Sequence, residues 1–124
     1  MHVPTTALTL RLGYYSIPVS EQSVAQVFIA ALRDARIVHE SDKSLMGERR
    51  LLYVVRMNAE QELRLSFLAG PHISWDDWWH VIGGLRWFMS VYEFVSLAFS
   101  VKHEGLPGLV FLGHGSLAVT NVDA

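Results

Sequence analysis

The chain contains no cysteine. That excludes disulfide cross-links and thiolate metal sites, and it fits a reducing compartment. Charge is scarce as well: Asp, Glu, Lys and Arg make up 18% of the 124 residues, against about 25% in ordinary soluble domains. The formal net charge is −2, with ten Lys and Arg in all. No basic stripe and no alternation of cations with aromatics marks a surface for phosphate backbones or stacked bases, so nucleic acid is not an expected partner. Long apolar runs are missing too. Ser, Gly, Arg or Glu interrupts each one well before the roughly 18 residues of a membrane span, so no membrane is expected. The first nine residues have neither the cationic start nor the apolar stretch of a signal peptide. A cytoplasmic protein is the expectation. A secreted factor that has lost its leader is the lesser alternative, because small secreted domains lean on the cysteines this chain lacks.

What is present is apolar residue, 51% of the composition. A chain of this length supports one core, so residues 1–124 are read as a single domain. With too little charge to cover itself, such a domain is inclined to cover itself with another copy.

Residues 7–15 alternate, with Leu8, Leu10, Leu12 and Tyr14 on one side and Thr9, Arg11 and Gly13 on the other, the pattern of a half-buried strand. Pro18 stops it, and Ser20 stands as an N-cap with Glu21 in the first helical turn. Val24, Val27, Phe28, Ala31, Leu32 and Ala35 then form one apolar stripe of about four turns. Residues 39–50, polar and charged, read as a mobile loop. Residues 51–57 and 62–69 alternate around a short polar connection and make a β-hairpin. Ser74 and Asp77 form a capping box for a second helix running to about Tyr92. Strands over 94–102 and 109–120 come next, joined by a turn at 104–108. The expected fold is α+β, a two-layer β-α-β-β-α-β-β sandwich in which two helices cover one face of a mostly antiparallel five-stranded sheet.

The second helix carries more apolar surface than one sheet can hide. Trp75, Trp78, Ile82, Leu85, Met89 and Tyr92 make a sheet-packing stripe. A second face holds Trp79, Gly83 and Trp87, beside Arg86 and Ser90. Gly83 and Gly84 cost a helix interior about 1 kcal/mol each against Ala, and exposed tryptophans are enriched at interfaces. Trp79, Gly83 and Trp87 are therefore the candidate subunit interface. Burial under the N-terminal arm or the 39–50 loop is the alternative, and a ligand groove is a third. The charges on this helix rule out a membrane dimer motif.

Chemistry is thinly marked. Of the six histidines, no two have the i, i+4 spacing of a zinc site, so no metal is expected. His80 lies four residues from Asp76, which reads as a surface pair. Gly113-His114-Gly115-Ser116 offers a histidine with a serine on the same strand face, but residues two apart on a strand do not meet as nucleophile and base. Glycines there fit a bulge or bend. The polar positions Thr9, Arg11, Arg56, Arg64, Ser66, Ser96, Ser100, Lys102, His114 and Ser116 fall on the face away from the helices. Were two such faces to close on each other, they would line a cavity, as in the dimeric α+β barrels of ferredoxin-like topology, which the chain resembles in element order alone. Residues 74–117, a Trp-rich helix with Gly84-Leu85, a strand and a Gly-His-Gly-Ser turn, also resemble a pattern in uncharacterised small proteins of filamentous fungi. That resemblance implies no activity and no site residue.

The expectation is a non-enzymatic interaction or self-assembly protein, a homo-oligomer without cofactor, joined through the Trp79/Gly83/Trp87 face or a sheet edge. The alternative is a small cofactor-independent cyclase, isomerase or decarboxylase that takes a small-molecule ligand in a sheet-lined pocket. His114 would be its acid/base, with Ser116 beside it and Arg56 or Arg64 stabilising an anion.

Overall fold

The computed structural model describes residues 3, 6, 8–41, 46–91, 94–104 and 109–122. Their elements run β1 (Leu8–Pro18), α1 (Glu21–Ser41), β2 (Arg49–Arg56), β3 (Gln61–Ala69), α2 (Trp75–Val91), β4 (Val95–Glu104) and β5 (Leu109–Asn121). The five strands form one sheet in the order β1-β4-β5-β3-β2, and every neighbouring pair is antiparallel. This is the expected α+β class. Four antiparallel steps leave β1 and β2 running the same way at opposite edges, so α1 carries the chain across the sheet. Likewise β3 and β4 are parallel with β5 between them, which requires the α2 crossover. The likeness to ferredoxin-like topology stops at element order, because β5 is inserted between β3 and β4 and β1 is left at an edge.

Local signals account for the helix ends. The Ser20 hydroxyl accepts a long bond from the Ser23 N–H at 3.4 Å. The α2 capping box closes in both directions: Asp77 N–H donates to Ser74 Oγ and Ser74 N–H to Asp77 Oδ2, each at 3.0 Å. Two expected boundaries move. Helix α1 continues to Ser41 and β2 begins at Arg49, so both ends of the expected 39–50 loop are regular structure. Polar residues without Gly or Pro do not stop a helix. The chain is tied down ahead of β2: Met46 is buried and its N–H donates to the Ile73 carbonyl at 2.8 Å. The β2–β3 connection is an Asx turn, with Asn58 Oδ1 accepting from Glu60 and Gln61 N–H. Residues 42–45, the 105–108 turn and Tyr92 lie outside the described residues.

The core lies between the sheet and the helices. Strand β3 sends Leu63, Leu65, Phe67 and Ala69 inward, and β4 sends Val95, Leu97, Phe99 and Val101. From α2, Trp78, Val81, Ile82 and Leu85 meet them, all at most 1% exposed. The middle of this layer is an aromatic stack. Phe67 lies 4.5 Å from Trp78 and 6.0 Å from Phe99, centroid to centroid. The rings lie over β5, where Gly113 and Gly115 provide the room. A Cβ on Gly115 would come within 2.2 Å of the Ser66 carbonyl oxygen and 2.7 Å of the Phe99 ring, and one on Gly113 within 2.5 Å of the Phe67 ring. The expected bulge is there as well: between the Val101 and Lys102 pairings β5 carries one extra residue, Leu112, next to Gly113.

A polar tie fastens α1 to the sheet edge. Tyr53 on β2 donates its hydroxyl to Asp34 Oδ2 at 2.6 Å. Burial first, then the bond to Asp34 and its negative charge, hold the Tyr53 hydroxyl well above the ordinary tyrosine pKa. The nearby Trp78 N–H works the other way, although its geometry falls short of a hydrogen bond.

Substitutions at the two kinds of glycine should act in opposite directions. Gly115→Ala lowers the urea-derived unfolding free energy by about 1–3 kcal/mol through overpacking. Gly83→Ala, where a Cβ meets nothing within 4 Å, raises it by about 0.8–1 kcal/mol. Because the folded pKa of Tyr53 is raised, its contribution is complete below pH 10 and is lost as pH climbs toward the folded value. Tyr53→Phe should cost about 1.5 kcal/mol at pH 8, and the gap to wild type should narrow by pH 11 in urea titrations at both pH values.

Candidate functional site

Two surfaces remain uncovered. The first lies on the helices. Among the expected interface residues, Trp87 is 50% exposed and Gly83 faces open space, whereas Trp79 is only partly exposed and packs against the core. The arm before β1 lies beside both tryptophans. Thr6 turns the chain, its hydroxyl donating to the Val3 carbonyl at 2.8 Å and accepting from the Leu8 N–H at 3.1 Å. Val3 is thereby buried, and it shares a small depression with Trp79, His80, Gly84 and Trp87. On its other side Gly83 floors a groove of about 390 Å³ between α1 and α2, walled by Val24, Phe28, Trp87 and Met89, with Glu21 and Arg86 among its lining residues. Ile29 on α1 and Val91 at the end of α2 add apolar area, each about half exposed (51% and 54%).

The second surface is the sheet face turned away from the helices. Strand register arranges its side chains in rows. One row runs Arg11, Ser100, His114, Leu68, Arg50, and the next runs Gly13, Ala98, Ser116, Ser66, Leu52. His114 and Ser116 do share this face, above a shallow hollow of about 340 Å³ that includes Arg50, Ser66 and Ala98. They do not face each other. The Ser116 hydroxyl lies 3.2 Å from that of Ser66, and the exposed His114 ring meets Phe111 at 6.0 Å. Among the described residues no carboxylate orients His114.

The arginines expected beside them are elsewhere. Arg64 is held by Glu62 at 2.6 Å. Arg56 stands opposite Glu62 on β2, four residues along the strand from the Leu52 row, or about 13 Å. The cation that does line the hollow is Arg50, which sequence reading assigned to a loop. The face is also more apolar than its polar positions suggest. Leu52, Val54, Leu68 and Phe111 are 43–50% exposed on it. Continuous apolar runs on β2 and Phe111 on β5 were the available signals. Five of the chain's ten basic side chains sit here (Arg11, Arg50, Arg56, Arg64 and Lys102), with the acid Glu62 among them.

A third hollow, at one end of α2, brings His72, Asp77 and His103 together with Val110 and Leu112. Asp77 there already caps its helix. Among the described residues no three His, Asp or Glu side chains form a metal-holding group. The Asp76–His80 pair, 3.7 Å apart and about one third exposed on each side, is a surface contact worth a few tenths of a kcal/mol. Among the described residues no helix is long and apolar enough to cross a membrane.

Comparison with protein-family models, with curated proteins and with solved structures finds no match to this chain. The geometry of its surfaces is therefore what speaks to function.

Since Ser116 pairs with another serine and not with a base, a fluorophosphonate serine probe should leave the folded chain unlabelled. A double-mutant cycle of Ser66→Ala with Ser116→Ala should return a coupling of about 0.2–1 kcal/mol, the value of a cross-strand hydroxyl pair. Stoichiometric labelling of Ser116 would restore the enzymatic reading.

Proposed function

We propose that the chain is a non-enzymatic interaction protein that self-associates through its helix layer, with Trp87 and the notch at Gly83 at the centre of the contact. The observation that carries this reading is the pairing of a projecting ring with an empty groove on one surface. Trp87 stands half exposed beside a glycine whose missing side chain opens the α1–α2 groove. In a two-fold contact each copy supplies both knob and hole, so Trp87 of one protomer enters the groove of its partner, and the reverse. Ile29 and Val91 extend the apolar patch around that centre. Charge is sparse in the groove: Glu21 and Arg86 carry opposite signs and can pair across a two-fold contact. Trp79 has a supporting role, since it is partly covered within its own chain and braces the helix surface that Trp87 leaves. The lack of cysteine supports a reducing, cytoplasmic setting for such an assembly.

A glycine standing where alanine would fit and would strengthen the helix points the same way. In this reading the notch is kept for a second molecule.

Sedimentation velocity across a concentration series tests the proposal. Wild type should sediment at twice the mass of one chain, and Trp87→Glu should sediment as a folded monomer with unchanged far-ultraviolet circular dichroism. A wild-type chain that stays monomeric to several hundred micromolar would sink the proposal. The groove would then be better explained as a site for a small apolar ligand.

A further inference from the structure

The two edges of the sheet are built differently. At one edge, β1 has an irregular register between Tyr14 and Pro18 and ends in that proline. Irregularity and proline are standard devices that keep an edge from accepting another strand. At the other edge, β2 has neither. Its eight residues pair with β3 without a break from Arg49 opposite Ala69 to Arg56 opposite Glu62. Its other flank has no neighbouring strand among the described residues, and on the face away from the helices it presents Leu52 and Val54, 50% and 45% exposed. A straight, apolar, unbroken edge of this kind is a template for strand addition.

Charge says what could occupy it. On the same face as Leu52 and Val54, Arg50 stands at one end and Arg56 at the other, both exposed. Neither forms an ion pair among the described residues. A second copy of β2 is a poor occupant. The antiparallel pairing that uses the whole strand and keeps the two sheet faces continuous sets Arg50 opposite Arg56 twice, and like charges directly opposite are destabilising. The same geometry favours a strand with carboxylates at those two positions and apolar side chains between them. Alternate residues of an added strand share a face, so the pattern is acidic-x-apolar-x-apolar-x-acidic. Its acidic ends would be about 20 Å apart, set by a rise of 3.4 Å per residue.

We propose that β2 is a docking edge for an extended segment of another protein carrying that acidic–apolar–apolar–acidic alternation. Main-chain hydrogen bonds along β2 supply the attraction. Leu52 and Val54 take the two apolar side chains, and Arg50 and Arg56 select the ends. This surface is separate from the helix groove, so the inference does not depend on self-association.

The test titrates the isotopically labelled full chain with two capped peptides, Glu-Thr-Val-Thr-Val-Thr-Glu and its counterpart with Lys at both ends. Amide shifts are followed by NMR to millimolar peptide. The acid-ended peptide should shift amides along Arg49–Arg56 and bind roughly tenfold or more tightly than the Lys-ended one, as two opposed charge pairs predict. Because Arg50 and Arg56 are exposed, the double variant Arg50→Glu/Arg56→Glu should keep the wild-type amide spectrum elsewhere and reverse the preference. Absence of shifts on β2, shifts centred on β1 or the helix groove, or a preference untouched by the charge swap would each overturn the proposal. So would heparin perturbing Arg50 and Arg56 while neither peptide moves the Leu52–Val55 amides, since the face would then be a general polyanion surface. Self-association abolished by Leu52→Lys but not by Trp87→Glu would make a second copy the occupant, and would overturn the helix-layer reading along with this one.

Discussion

The stacking of Phe67, Trp78 and Phe99 over a strand that has no side chains to offer them is the contact on which both layers rest. Strand β5 is central in the sheet, yet at two inward positions it is glycine, and the rings of its neighbours lie across the space. Trp78 brings α2 down onto that surface, and α2 in turn sets the floor of the groove it shares with α1. The same choice shapes the opposite face. With Gly113 and Gly115 directed at the core, the residues between and beyond them, His114 and Ser116, are directed at water. Their spacing resembles a catalytic motif, but the glycines around them serve the aromatic stack. They keep room for phenylalanine rings on the far side of the sheet.

Much of the architecture was legible because it is written locally. The capping box at Ser74 and Asp77 needs only residues three apart, and both its bonds form. Alternation along β3 and β4 and the stripe on α1 depend on period alone, and they named the core correctly. The order of the strands was not legible. Period says which face a residue takes and nothing about which strand lies beside it, so neither the edge position of β2 nor the rings above Gly113 and Gly115 could be read. Arg50 was missed for a related reason: two consecutive arginines after a polar stretch look like loop until β3 is seen to pair with them. Trp79 and Trp87, equivalent by helical spacing, are set apart by tertiary packing, the first against the core and the second half exposed, which no local pattern contains.

The uncovered surfaces differ in character. The helix groove is apolar, concave and flanked by one charge of each sign. The far sheet face is flat and populated by arginine and lysine, although the chain as a whole is slightly acidic. A groove with its own projecting tryptophan suits a copy of itself. A cationic edge that repels its own image suits something else. An assembly closed through the helices would leave its sheet faces pointing outward on opposite sides, so the two surfaces need not compete. Such an object would hold two identical docking edges at a set separation, and bivalent engagement raises apparent affinity without any new contact.

The placement of β1 bears on how the molecule is made. Among the described residues its one strand partner is β4, so Leu8 meets His103 and Tyr14 meets Leu97, a closure spanning roughly ninety residues, and contacts of such long range form late. Strands β2 to β5 and α2, by contrast, are contiguous in sequence and pair among themselves. A ribosome therefore delivers first the strand that can be used last. While β3, β4 and β5 are still being synthesised, β1 and the apolar stripe of α1 wait without a sheet to join, and in that interval the nascent chain has most to gain from a chaperone.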